Sequence, residues 1–490
     1  CLPLALLLGY LMADPLDSSS LGIVVMVISV LLMPLLMKWH HPLLVLTCNS
    51  AFTFTFLPGS PPMWIPLAAM GLVFALLNRA VDANRRLLVG GQVVWSLLAL
   101  SAVVLITALS TGGVNIRSMG GATYGGSRYF FIFGAVAMYF VLASQRIAPG
   151  RALFFVSMFF LSGATALLSN LAYFFGERFY VIYYFITPAA AMAQASMQNG
   201  LGSGGLARLS GCSDLAGAVS LYFAARYGMR GILDLTRPWR LFTVLLFMAT
   251  GLLGGFRSLF LFLGFVFVVL FFLEKLHRTQ LLIVAVMLVV VGAAGLVPFA
   301  RKLPLNAQRA LSFLPIDVDP AARASARGSI EWRVDMWKEV IDEVPRYLLK
   351  GRGYRIDPTD LYMADENSAR GFGLPAQWAI VSGDYHNGPL SVLIPFGLWG
   401  ALAMLWFMWA SLRLLYRNCI HGDPQNALLN RALFACFLVR SIFFLFLVGG
   451  LASDLPYLVA LVALGISFNR GEVRTEAAEE WQFEAQPEII

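Results

Sequence analysis

Three stretches of the chain carry side chains whose types suit chemistry. The run LLGGFRSLFLFLGF, Leu252 to Phe265, sets one guanidinium, Arg257, among apolar residues. A second arginine, Arg208, lies in GGLARLSGCSDLAG just ahead of an apolar stretch, and His386 lies in SGDYHNGPLSVLIPFGLWG where another begins. A guanidinium is planar, permanently charged and grips phosphate with two parallel N–H donors. An imidazole titrates near neutral pH and can take a proton from a reacting hydroxyl. Anion binding and proton transfer are the chemistry these residue types allow. The plainer alternatives are an arginine that snorkels to lipid phosphates and an ordinary histidine at a helix start. Asp384 could orient the imidazole, although residues two apart often face different ways.

A membrane bundle must position these groups. Of 490 residues, 59% are hydrophobic and 13% charged, and mean hydropathy is +0.74. A soluble fold cannot hide that much apolar surface, which excludes a soluble enzyme with one anchor. The expectation is an all-α polytopic membrane protein with about 12–14 transmembrane helices and one long external loop carrying an amphipathic helix. Spans are expected near 1–13, 21–37, 42–57, 63–78, 87–110, 129–145, 152–175, 212–225, 241–256, 258–273, 280–298, 389–412, 431–450 and 454–468. From Leu241 to Leu273 a single helix would be roughly 50 Å long against a core of about 30 Å. A lone arginine at its centre would cost ~2.5–3.5 kcal/mol. Two short spans with a turn at Gly254 and Gly255 remove both problems and put Arg257 at a membrane face.

The formal charge of +8 is mostly loop arginine, which reads as topology and not as nucleic-acid binding. The basic loops Lys38–His41, Arg79–Arg86, Arg146–Arg151, Arg226–Arg240, Glu274–Arg278 and Arg413–Arg431 go to the cytoplasm. His40, His41, His277 and His421 fall in them. Alternation puts Asp14–Ser20, Pro58–Pro62, Thr111–Arg128 and Arg301–Asn387 outside. It requires Tyr180–Ala193, with Pro188 inside it, to be interfacial or re-entrant. Arg257, Arg208 and His386 then share the outer face. Five cysteines, Cys1, Cys48, Cys212, Cys419 and Cys436, show neither disulfide nor metal spacing. Cys1 within an apolar run suggests a trimmed N-terminus, and the acidic tail from Glu472 reads as polar and disordered.

The external loop holds SIEWRVDMWKEVIDEVPRYLLKGRGY. Ile330, Val334, Trp337, Ile341 and Val344 recur at helical spacing along one stripe, with Ser329 as N-cap and Pro345 as limit. Glu331, Arg333 and Asp335 fall on the solvated side, where Arg333 is expected to form a salt bridge. The organisation expected is an N-terminal transmembrane bundle (1–200), helices with the arginine hairpin (201–300), a periplasmic loop (301–387), C-terminal transmembrane helices (388–470) and a cytoplasmic tail (471–490).

GGFRSLFLFLGF, the loop helix with Arg333, Trp337, Pro345, Gly351 and Gly353, and HNGPLSVLIPFGLWG with His386, Asn387, Leu390, Gly397 and Gly400 resemble the O-antigen ligase and polymerase superfamily of bacterial envelope glycosyltransferases. ARLSGCSDLAG, with Arg208, is similar to a further family stretch, although the family's usual Asn near Asp214 is missing. The likeness runs over roughly 206–400 in the family's order.

It implies transfer of a glycan from a polyprenyl (undecaprenyl) diphosphate donor to an acceptor hydroxyl on the periplasmic face of the inner membrane, with no cofactor or metal. In that setting Arg257 and Arg208 would hold the diphosphate, and His386 would be the base. Arg333 and Arg352 would help bind donor, acceptor or anionic glycan. The partners implied are that donor, a lipid A–core or glycan acceptor and the bilayer. Ligation, repeat-unit polymerisation and transfer to protein remain open. From another class, a polysaccharide or lipid transporter would want midplane charges and an internal repeat.

Overall fold

The computed structural model describes residues 37–55, 60–82, 88–112, 126–188, 208–356 and 377–469, with isolated positions between them. The spans expected at 1–13 and 21–37 and the tail from Glu472 lie outside the described residues, isolated positions apart.

The chain is an all-α polytopic membrane protein. Among the described residues eight helices are long and apolar enough to cross a membrane. The successive helices are α1 (Trp64–Val81), α2 (Gln92–Thr111), α3 (Ser127–Ser144), α4 (Pro149–Ser162), α5 (Leu167–Phe175) and α6 (Ser210–Ile232). After them come α7 (Trp239–Gly251), α8 (Arg257–Leu273), α9 (Leu281–Phe299), α10 (Leu305–Leu311), α11 (Pro320–Ile341), α12 (Gly388–His421), α13 (Ala427–Phe446) and α14 (Leu451–Asn469). A 3₁₀ turn joins α4 to α5, so together they fill one span over Gly150–Phe175. α14 is buried along most of its length and forms the axis of the main core. α9, apolar on every side, buries no residue, as expected of a helix facing lipid.

The span expected at 42–57 is shorter than its apolar run. Helix stops after Thr47, and Phe52 and Thr53 make isolated bridges to Ile186 and Pro62. The Pro58, Pro61 and Pro62 cluster cannot continue a helix. His40 and His41 are buried in this helix, against Phe74 and Phe155, and do not sit in a loop. The tyrosine-rich segment does not span: it is a 3₁₀ turn over Glu177–Tyr184, with Tyr180 and Tyr184 exposed. Residues 189–193 lie outside the described residues.

The expected hairpin is present. α7 runs into a 3₁₀ turn at Leu252–Gly254, Gly255 takes the left-handed conformation (φ 69°), and α8 starts at Arg257. A residue with a Cβ disfavours that conformation, so glycine makes the reversal at little cost.

α12 exceeds the expected 389–412 and breaks at Gly397 (φ 63°), two residues after Pro395. The backbone groups freed there are paired by the loop. Arg352 N donates to Ile394 O (2.8 Å), Gly353 N to Pro395 O (2.9 Å) and Leu398 N to Leu348 O (2.6 Å). Unpaired polar backbone inside a bundle costs several kcal/mol per group, so the docked loop is what allows the break.

The long helices have two ends. At one, Met229 N and Arg230 N donate to the Glu274 carboxylate, beside Arg431 and Leu428. At the other lie the hairpin tip, the start of α6, α10, α11 and the start of α12. Arg208, Arg257 and His386 are all at this second end.

Candidate active site

An apolar cluster first fixes the hairpin tip to the loop. Leu252 packs with Leu296, Ala300, Leu303, Leu311 and Ile316. The buried Gln308 ties α10 down by donating to Arg301 O and Leu303 O (3.1 and 2.8 Å) and accepting from Asp319 N (2.6 Å). Asp319 caps α11 by accepting from Ala321 N. The loop helix thus starts well before Ser329.

The inward face of α11 differs from the expected stripe. Ala322, Ala326, Met336 and Val340 are buried, with Ser329 and Arg333 half-buried in the same row. The steps are four, three, four, three and four residues, a true helical stripe. Of the residues expected to face inward, Trp337 and Val344 are half-buried, whereas Ile330, Val334 and Ile341 are exposed. The inward row escaped notice because it contains small and charged residues as well as greasy ones.

This face delivers Arg333 to the hairpin tip, where four guanidiniums gather. Arg257 Nη2 donates to Ala326 O (3.1 Å). Arg208 stacks over the Phe256 ring at 5.6 Å. Arg309, buried, donates to Gly255 O (2.9 Å), Ser325 Oγ (3.1 Å) and Ser329 Oγ (2.9 Å). Among the described residues no carboxylate pairs with any of the four: Glu331 pairs with Arg327 and Asp335 with Lys338, so the salt bridge expected for Arg333 does not form. Burial, then the charges of Arg208, Arg257 and Arg333, push the Arg309 guanidinium down to about 10. Burial lowers Arg208 first, with Arg333 and Arg257 adding to it. Burial lowers Arg333 too, with Arg257 adding. A guanidinium stays charged at neutral pH, so the four side chains repel one another, and a multiply charged anion placed among them would offset that repulsion.

His386 sits on a turn between a short helix, Gln377–Ser382, and α12. Tyr385 is buried among Met336, Val340, Leu390 and Ile394. Its carbonyl accepts from Trp337 Nε1 (2.8 Å), and Asn387 caps α12 through Leu390 N (3.0 Å). Held on both sides, His386 takes φ 46°, rare outside glycine. Such strain costs on the order of 1–3 kcal/mol and clusters at functional sites. The imidazole lies 5.5 Å from the Trp332 ring, and its Nδ1 is 3.5 Å from Asp384 Oδ1. Burial lowers the His386 pKa, Asp384 opposes that, and Arg333 and Arg128 lower it further. Arg333 therefore belongs electrostatically both to the arginine cluster and to the histidine.

Arg352 is not part of the cluster. Its charge acts instead on Tyr385, whose phenol burial pushes up to about 12 while Arg352 opposes the rise. Sequence reasoning missed Arg309 and Arg128. In the sequence both fall within the expected external connections, Thr111–Arg128 and Arg301–Asn387, where an arginine raises no question; the structure puts Arg128 in the first turn of α3 and Arg309 in α10. A cavity of about 530 Å³ lies farther down the bundle, lined by Trp64, Asp214, Leu259, Arg440 and Tyr457 among others. None of the four clustered arginines nor His386 lines it.

Residues 241–405 match the O-antigen ligase family. This match, over part of the chain, supports membership of the O-antigen ligase and polymerase superfamily. Members of this superfamily are glycosyltransferase-like enzymes. The match contains the hairpin, Arg309, Arg333 and His386, and leaves Arg208 outside it. No curated protein matches the chain.

Proposed function

We propose that the protein is a metal-independent membrane glycosyltransferase. It moves a glycan from a polyprenyl diphosphate carrier to an acceptor hydroxyl, on lipid A–core or a growing polysaccharide, at the periplasmic face of the bacterial inner membrane. The observation that carries this is the gathering of Arg208, Arg257, Arg309 and Arg333 with no described carboxylate among them, next to a histidine faced by Asp384. The positive-inside rule supports the orientation, since the opposite end carries Arg230, Lys275, Arg278 and Arg431.

In the reaction the acceptor oxygen bonds to the anomeric carbon as the bond from that carbon to the diphosphate oxygen breaks. The electron pair leaves with the polyprenyl diphosphate, and Arg208, Arg257 and Arg333 stabilise the charge that grows there. The acceptor proton passes to Nε2 of His386, while Nδ1–H points at Asp384 and steadies the imidazole. The charge neutralisation is assigned to these guanidiniums, which pair with no described carboxylate.

Purified protein in vesicles, with a labelled polyprenyl diphosphate glycan, an acceptor and EDTA, should form a new glycosidic bond and release polyprenyl diphosphate. Movement of label across the bilayer without bond formation would overturn this function in favour of transport. Activity lost to EDTA and restored by a divalent ion would overturn the metal-independent mechanism.

A further inference from the structure

We propose that Arg309 is the positioning residue of this site: it fastens the hairpin tip to the loop helix and acts on the diphosphate through Arg257. The inference rests on the diphosphate assignment above. Arg309 is only 4% exposed, so almost none of it is open to a ligand. Its donors are engaged on two elements at once, Gly255 O at the tip and the Ser325 and Ser329 hydroxyls on α11. Gly255 is the left-handed turn residue two places before Arg257. Arg257 itself donates to Ala326 O, one residue on from Ser325. The two arginines thus cross-link the same turn of hairpin to the same turn of α11. If the Arg309 bridge slackens, Arg257 shifts relative to Arg208 and Arg333.

A neutral side chain could have served as a strut, and at lower cost, because a fourth buried cation repels the other three. The repulsion is offset when an anion arrives. Arg309 therefore raises the positive potential of the site as well as fixing its geometry. Lysine would keep the charge, but its donors sit on one nitrogen and cannot reach acceptors on two elements in the fixed fork of a guanidinium.

The test is a double-mutant cycle on the full-length protein in detergent, read as the dissociation constant for inorganic pyrophosphate. Arg257→Ala should weaken binding, and Arg309→Lys should weaken it about tenfold in the wild-type background. In the Arg257→Ala background Arg309→Lys should change binding less than about twofold, because its effect runs through Arg257. Ser325→Ala/Ser329→Ala, which leaves all four charges and both arginines in place, should weaken binding in the same direction. This variant carries the test if Arg309→Lys does not fold. Full additivity of Arg309→Lys with Arg257→Ala would overturn the positioning role, because Arg309 would then bind the anion directly. Wild-type affinity in both Arg309→Lys and the serine double variant would also overturn it. Failure of the wild type to bind pyrophosphate would overturn the diphosphate assignment itself.

Discussion

His386 has to be neutral to accept a proton, so its lowered pKa extends activity toward acid. Burial lowers it, Asp384 opposes, and Arg333 and Arg128 add to the lowering. The rising limb of kcat/KM against pH, which reports the free enzyme, should lie below the ordinary histidine value of about 6.5. A bound diphosphate adds negative charge and raises the pKa, so the limb in kcat should lie at higher pH. A kcat limb at or below the kcat/KM limb would contradict the charge arrangement. Removing a cation, as in Arg333→Gln, should move the kcat/KM limb upward. Arg257→Lys keeps a charge but loses the fork, so activity should fall strongly while expression holds. Unchanged transfer in Arg257→Ala would reduce Arg257 to a snorkelling residue. Arg257, Arg208 and His386 were legible in the sequence because each interrupts or borders apolar residues. Arg309 was not, because "LNAQRALSF" is unremarkable as a polar connection, and its three partners lie far from it in sequence.

At the scale of elements, the site depends on a helix being broken and repaired. The loop at 348–353 pairs the carbonyls and amide freed at the α12 break, and its close approach requires Gly351. Gly351 has φ 73°, and a Cβ there would lie 2.3 Å from Pro395 O. Gly351→Ala should therefore cost about 1–3 kcal/mol from backbone strain, plus the clash, and lower Tm. Because α12 carries His386 just ahead of its first turn, transfer should drop with it. A variant with wild-type Tm would mean that the loop is not docked as described. The hairpin and most spans were legible to within a few residues, since apolar length and glycine placement set them. The face of α11 was not. Ile330, Val334 and Ile341 satisfy helical spacing as well as the true row does, and that row, on a helix packed against α10, contains small residues, Ala322 and Ala326, which are buried but carry little hydrophobic signal.

For the whole molecule, the proposed orientation is tested by placing cysteines at the two ends in a background lacking the native ones. Arg327→Cys on the exposed side of α11 should react in intact cells with an impermeant thiol reagent, and Gln425→Cys between α12 and α13 should not. Labelling at 425 alone would invert the protein and remove the periplasmic site. What a polytopic sequence does disclose is where apolar stretches end and where basic loops fall. What it does not is which helix ends meet, because lateral order among similar apolar helices leaves little trace in one chain. Alternation alone puts Arg208, Arg257 and His386 on one face; that Arg208 just ahead of α6 and Arg257 at the start of α8 meet Arg309 on α10 and Arg333 on α11 emerges only in three dimensions. The central claim is that the arginines hold the diphosphate and His386 takes the proton. It is tested most directly by measuring donor binding and transfer separately in His386→Gln, with labelled polyprenyl diphosphate glycan on purified protein. Glutamine can hydrogen-bond but cannot take up a proton, so binding should persist and transfer should fall by ~10²-fold or more. A His386→Gln protein that loses donor binding together with transfer would contradict the claim, placing the histidine with the arginines on phosphate and leaving the base to be sought elsewhere, at Asp384 first.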